Sequence, residues 1–495
     1  MTTTNFSAGT VVASTWLNDV DVTTYEGCIN VRQAPYNAVG DGSTDDTAAI
    51  QAAITAAAAA RKPLYFPPNA SAAYYKVTST LTITTALSII GSGSYTTTIL
   101  GVGLGAGVRV IDYNCLAADV IEQVNIRGIT IRSDNASPNA LRLKNVSYVW
   151  ARDLRVYNVA NGIEIEGTRC FTHTYDGLNG TSVTTSTYKF ASGFTGGGQY
   201  IFNGCTFVGT TAFALPATAS ADGLNFFGCN WEQATTNSMF IGGSVGGLLV
   251  SGGRTEGCDG IDFVLRPFGA AEVIGGVSIS GVSFGSSDAA ASSRIRIGGD
   301  SGKVRGFSVL GNTVTHGTDT FAGTLVDLNG EGGAGIVAGN YLHGTACTVV
   351  NNQRAGIVVY SNENLSGALA EWWGTAHWGV TESSYTVTTT GHTVAQTGTI
   401  NYTLHGNVGT LKLPTLSGTS SATSFTITGM PAAIRPATDT DIILKVADNG
   451  GAALFALGRI KTTGVIEVYA TPGGGVFTAA GAKTCYALSV SYNLT

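Results

Sequence analysis

The stretch FNGCTFVG, Phe202–Gly209, returns as FFGCNWEQ from Phe226, VSGGRTEG from Val250 and ISGVSFGS from Ile279. It continues as VLGNTVTH from Val309, VAGNYLHG from Val337 and VYSNENLS from Val359, with periods of 24, 24, 29, 30, 28 and 22 residues. Self-similarity at such periods marks a solenoid in which each repeat is one stacked structural unit. The units are short β segments closed by Gly and Asn turns, so the solenoid is an all-β parallel β-helix. Stacked windings align side chains at one offset into columns, which gives the sequence a surface that can be read.

Outward from the repeats, the chain changes character at both ends. Ser43, Thr44 and Asp45 offer N-caps for an Ala-rich helix over Asp46–Arg61, which Pro63 stops. Placed before the first coil, this helix caps the open edge and apolar bore of the solenoid. Strands recur from Tyr75 onward. Residues 171–200 fit the period poorly and read as a loop or small insertion. EWWGTAHWGV, Glu371–Val380, reads as a linker or plug. From Ser384 to Thr495 plain alternation between Gly, Pro and Asn turns predicts an antiparallel β-sandwich.

Composition excludes several classes. The 495 residues carry a formal net charge of −6 and only 12% charged residues, with 67 Gly. No basic field exists to hold DNA or RNA, and the charge gives no long-range pull on an acidic glycan. No apolar run reaches membrane-spanning length, and the opening MTTTNFSAGTVV lacks the pattern of a signal peptide. The expected location is the cytosol or a virus particle. Eight cysteines without a CxxC pair predict neither a disulfide framework nor zinc, and no metal or cofactor is expected. Cys205 and Cys229 share one offset and read as stacked buried thiols.

Numbered from the first residue of each repeat, offsets 3 and 5 are inward by composition. Asn312, Asn340 and Asn362 at offset 3 predict a hydrogen-bonded amide ladder. Offsets 4 and 6 then point outward, because side chains alternate along a strand. Offset 4 carries Asn230, Arg254 and Tyr341; offset 6 carries Glu232, Glu256 and His343. Adjacent strands lie about 4.8 Å apart, so Glu232 and Glu256 become neighbours with Arg254 beside them. Two carboxylates that close raise the pKa of one, which suits an acid beside an ionised partner. Asp259 and Asp262 follow at or beyond the next turn. We therefore take Glu232, Glu256, Asp259 and Asp262 as candidate catalytic carboxylates. A short separation suits retaining glycoside hydrolysis, and a wider one, such as Glu232 to Asp262, suits inversion. The structural alternative is that Glu256 and Glu232 hold a coil corner by pairing with Arg254. Asn230, Trp231, Arg254, Tyr341 and His343 are candidate sugar contacts. Trp231 sits at an inward offset and reads as core unless alternation fails in so short a strand.

The run YNAVGDGSTDDTAAIQAAI (Tyr36–Ile54), followed by LYFPP (Leu64–Pro68) and IIGSG (Ile89–Gly93), resembles the opening of pectate-lyase-like proteins with right-handed β-helices. NFSAGTVVASTWLNDV (Asn5–Val20) resembles the amino-terminal segment of bacteriophage tail fibres and tailspikes. Thr397–Ala437 is similar to the carboxy-terminal sandwich of such spikes. The resemblance implies a homotrimeric spike, joined to a phage tail or baseplate by residues 1–30, which binds and often degrades a bacterial capsule or lipopolysaccharide. Glu256, Asp259 and Asp262 resemble the flank carboxylates with which other tailspikes cleave. On this reading 31–100 hold the capping helix and first coils, 101–370 the central β-helix, 371–383 the Trp-rich plug and 384–495 a domain for trimerisation or receptor binding. Calcium-type Asp clusters and the Gly-His-Gly signature of polygalacturonases are missing from the sequence. A non-catalytic receptor-binding spike, a polysaccharide lyase using Arg254 between two Glu, and a purely structural tail component stand as alternatives.

Overall fold

A computed structural model describes residues 27–116, 123–285, 293–298, 301–315, 321, 323–329, 332–344, 347–351, 356–365, 367–368, 372–373, 380–405 and 407–494. The expected attachment segment 1–30 and Trp-rich plug 371–383 lie largely outside these residues. The chain divides into two compact units, Met1–Asn352 with Val359–Glu371, and Gln353–Val358 with Trp372–Thr495.

In the first unit the strand Ile29–Asn30 precedes the helix α1, Thr47–Ala60, which lies one residue inside each expected end. Ile50, Ala53, Ile54 and Ala57 are its buried residues, the i, i+3, i+4, i+7 face of an amphipathic helix. Asp45 accepts the Thr47 N–H at 3.0 Å, so the first orphan donor is satisfied from a residue read as a cap. Asp46 instead turns back and accepts from Val39 N and Gly40 N at 2.6 and 2.9 Å. Arg61 ends the helix in the left-handed region at φ 52°. Gln51 bonds both backbone groups of Thr82 at 2.9 Å, which ties α1 to the strand Leu81–Ile83.

Among the described residues, the solenoid windings stack in three parallel ladders. The first runs through Gln199–Asn203, Gly223–Phe227, Ser244–Ser251, Val273–Ser280, Lys303–Leu310 and Gly332–Ala338. The second runs through Thr206–Val208, Asn230–Glu232, Arg254–Glu256, Ser283–Gly285, Thr313–Thr315 and Tyr341–Leu342. The third runs through Thr211–Leu215, Asn237–Ile241, Ile261–Leu265, Ile295–Ile297, Thr324–Leu328 and Thr348–Asn351. Residue partners in the second ladder are the offset columns of the repeat alignment. Phe207, Trp231, Thr255, Phe284, Val314 and Leu342 form its inward column, and all are buried.

Aromatic rings fill the interior of the middle windings. Tyr175, Phe202 and Phe226 stack at 5.2 and 4.8 Å with interplanar angles of 8° and 10°. Each such pair contributes about 0.5–1.5 kcal/mol beyond the area it buries. The amide ladder follows it, with Asn312 Nδ2 donating to Asn340 Oδ1 at 2.9 Å and Asn340 Nδ2 to Asn362 Oδ1 at 2.8 Å. Cys205 and Cys229 are free and buried, each thiol donating to a carbonyl of the preceding winding, Tyr175 and Phe202 respectively.

Residues 171–200 are a correction to the sequence reading. They form the strands His173–Asp176 and Asn179–Phe190, both paired into the solenoid. The Thr and Ser content that reads as a loop lies partly inside. Thr187 and Ser186 are buried, and Thr187 Oγ1 donates to Val208 O at 2.8 Å.

The second unit is antiparallel. Among the described residues, ten of its strands pair in the continuous order Leu416–Thr419, Ala482–Cys485, Thr440–Ala447, Leu454–Ile460, Ile466–Val468, Phe425–Thr428, Val380–Thr390, Thr397–His405, Val408–Leu413 and Leu488–Asn493. They enclose one apolar core that includes Ile400, Leu411, Phe425, Ile427, Leu444 and Cys485. Lys483 is buried there, its Nζ donating to the carbonyls of Gly391, Ala422 and Ser424, and burial holds its pKa below the usual lysine value.

Candidate functional site

The second ladder presents most of the expected site residues on one flank. Asn230 pairs with Arg254, Trp231 with Thr255 and Glu232 with Glu256. Nη2 of Arg254 lies 2.8 Å from Oε2 of Glu256 and 3.8 Å from Oε1 of Glu232. Arg254 and Glu256 are open to solvent, with side-chain exposures of 54% and 59%, and Glu232 is half-buried at 32%. The guanidinium between them offsets the mutual repulsion of two carboxylates held one strand spacing apart.

Asp259 is exposed just after this strand, its N–H donating to Ala234 O at 2.9 Å. Tyr341 shares the outward column of Asn230 and Arg254, but three windings beyond Arg254, through Ser283 and Thr313. At about 4.8 Å per strand that is roughly 14 Å. His343 follows it and is half-buried. These two therefore do not meet the glutamate pair.

Two candidates need correcting. Trp231 is fully buried, ring-stacked on Phe207 at 5.8 Å and edge-on to Phe263 at 5.0 Å, so it cannot touch a sugar. Alternation holds even in a three-residue strand, because the interior aromatic column demands it. Asp262 is fully buried as well, paired with Arg294 at 3.1 Å and accepting from Ser238 Oγ at 3.2 Å. It belongs to the strand Ile261–Leu265 rather than to the exposed turn. Burial raises its pKa, against the opposing pull of Arg294.

A second feature lies outside the sequence-derived candidates. On the first ladder Gln199 pairs with Gly223, and Gly247, Gly276 and Gly306 are successive register partners. The glycines floor a trough of about 680 Å³ with Asp222, Asn225, Ser278 and Ser308 in its walls. A Cβ on Gly276 would meet nothing within 4 Å, and on Gly247 only Gly276 O at 3.9 Å. Neither packing nor backbone conformation requires glycine at these two positions. The signal is present in the sequence as a Gly three residues before the repeat phrase in four consecutive windings.

The amino-terminal two-fifths of the chain carries a family likeness. Residues 28–229 match the family described as rhamnogalacturonase A/epimerase, pectate lyase-like. This stretch is similar to pectate-lyase-like domains. The likeness stops at Cys229, one residue before the strand that carries Glu232. Among solved structures the chain is similar to the Dettilon tailspike protein, at 14% identity and a TM-score of 0.52, covering 99% of this chain and 98% of that one. It is also similar to PfbA, a surface adhesin of Streptococcus pneumoniae, at 16% identity and a TM-score of 0.49, over 69% and 93%. The A-module of the Azotobacter vinelandii mannuronan C-5 epimerase AlgE6 follows at 15% identity and a TM-score of 0.46, over 68% and 98%. No curated protein matches the chain by sequence. The chain thus shares its solenoid fold with a tailspike, and the likeness extends to the fold alone.

Proposed function

We propose that the protein is a phage tailspike that binds a bacterial surface polysaccharide along the second ladder and hydrolyses it with Glu232 and Glu256. The observation that carries this reading is the shared register of these two carboxylates on an exposed flank, with Arg254 between them. Outward side chains repeat along this flank at about one strand spacing, close to the length of one pyranose unit. An extended glycan laid across the windings meets a hydrogen-bonding group at each sugar.

In this arrangement Glu232, the more buried and the farther from Arg254, donates the proton to the leaving oxygen. Glu256, held in the tighter ion pair, supplies the negative charge that an oxocarbenium-like transition state requires. Adjacent-strand spacing favours the shorter carboxylate separation, and with it retention of configuration. The spike acts as a homotrimer on the virion, at the host cell surface.

A second reading is a spike that binds without cutting. Arg254 contacts both carboxylates, as it would if the triad only braced the coil. Incubating the protein with purified host polysaccharide and sizing the products separates the two. Shortened chains with new reducing ends support hydrolysis, unsaturated ends absorbing in the ultraviolet indicate a lyase, and unshortened but bound glycan leaves the binding spike.

A further inference from the structure

The second ladder extends back through earlier windings. Thr98, Thr130, Arg155, Asn179, Thr206 and Asn230 are successive register partners, and Leu100, Arg132, Tyr157 and Thr181 run beside them. Two guanidinium groups meet there around tyrosine rings. Arg132 Cζ lies 5.0 Å from the ring centres of both Tyr74 and Tyr157, and Arg155 Cζ lies 5.1 Å from those of Tyr95 and Tyr157.

The charges in this cluster are not balanced. Among the described residues no carboxylate pairs with Arg132 or Arg155, and the Nε of each is buried without a hydrogen-bond partner. Asp153, on the same strand as Arg155, is engaged by Ser94 through its N–H at 2.9 Å and its hydroxyl at 2.5 Å. Arg142, by contrast, is paired with Asp112 and Glu166, and Arg296 with Asp327. Two like charges sharing one aromatic ring, with no carboxylate on either, form a place where an anion relieves their repulsion. Tyr95 stands 78% exposed and offers an apolar face to a sugar ring.

We propose that Arg132, Arg155 and the tyrosines around them form a subsite for an acidic sugar, whose carboxylate is bound by the two guanidiniums while its ring packs on Tyr95. This rests on the polysaccharide reading above and deepens it, because Arg155 and Asn230 lie in one column, three windings or roughly 14 Å apart. One glycan reaches from the subsite to the glutamate pair. The chain's net charge of −6 supplies no long-range attraction, so recognition of the acid is local to this cluster.

The test uses the full chain against oligogalacturonate, oligomannuronate and oligomers of N-acetylneuraminic acid, each beside its carboxyl-reduced counterpart, with poly(glycerol phosphate) as a phosphate-bearing control. We expect at least one acidic oligosaccharide to bind, at least tenfold more tightly than its reduced form and than the phosphate polymer. Arg155→Gln and Tyr95→Ala should each weaken it tenfold or more, and Arg155→Lys should recover part of the loss. Thermal melting of each variant separates loss of binding from loss of fold. The subsite is refuted if no acidic oligosaccharide binds, if reduced forms or the phosphate polymer bind as well, or if Arg155→Gln, folded, binds as wild type does. Retained binding and shortening of host polysaccharide by Arg155→Gln would refute the subsite while leaving the polysaccharide reading intact.

Discussion

Glu232 and Glu256 are register partners on adjacent strands of the solenoid, and one nitrogen of Arg254 contacts both. The contacts differ in length, 3.8 Å to Glu232 and 2.8 Å to Glu256, so the pair is asymmetric. We expect Arg254→Gln to lower the rate of glycan shortening at least tenfold. Its effect on stability should stay below about 1 kcal/mol, because exposed ion pairs contribute little. Denaturant melts beside product sizing report both numbers.

Asp262 belongs to stability rather than to chemistry. Asp262→Ala leaves Arg294 buried without its carboxylate, and breaking a buried pair this way costs roughly 3–5 kcal/mol. Asp259→Asn, at an exposed turn, should change stability by less than about 0.5 kcal/mol. Equilibrium urea unfolding of the two variants gives the comparison.

His173 sets an acid limit on the fold. It is fully buried, with Nε2 at 2.7 Å from Val146 O and Nδ1 at 3.0 Å from the Tyr175 hydroxyl, and desolvation lowers its pKa to about 4. The unfolded chain then binds a proton that the folded chain does not between about pH 6.5 and 4. Stability from this group is complete above about pH 6.5 and declines as pH falls through that window, by on the order of 3 kcal/mol. Subtracting the pH profile of His173→Gln from that of wild type should isolate this slope.

Two glycines should respond in opposite directions. Gly276→Ala adds a Cβ to open space at an ordinary backbone angle and should stabilise by about 0.4–1 kcal/mol. Gly253 has φ +88°, and a Cβ there would sit 1.9 Å from Cys229 O. Gly253→Ala should destabilise by roughly 1–3 kcal/mol. Thermal melts of the two variants check the signs.

Much of the fold is legible in the sequence because a solenoid repeats its instructions. The phrase beginning at Phe202 sets the register, and that register places Glu232 beside Glu256 and Trp231 inside. Asp262 escapes this logic because it follows a turn, where alternation gives no direction and only the burial of Arg294 reveals the interior. Residues 171–200 read as a loop because their hydroxyls suggest water. Ser186 and Thr187 are instead buried in the wall, where Thr187 donates its hydroxyl to Val208 O. The Arg132–Arg155 cluster joins residues from separate windings and the loop at Tyr95, which no single repeat displays.

The most direct measurement is the size distribution of host polysaccharide after incubation with wild type, Glu232→Gln and Glu256→Gln. We expect wild type to yield short oligosaccharides with new reducing ends, and each variant to bind the glycan while cutting it at least a hundredfold more slowly. Undiminished cutting by either folded variant, or no cutting by wild type of a glycan it binds, would contradict the assignment.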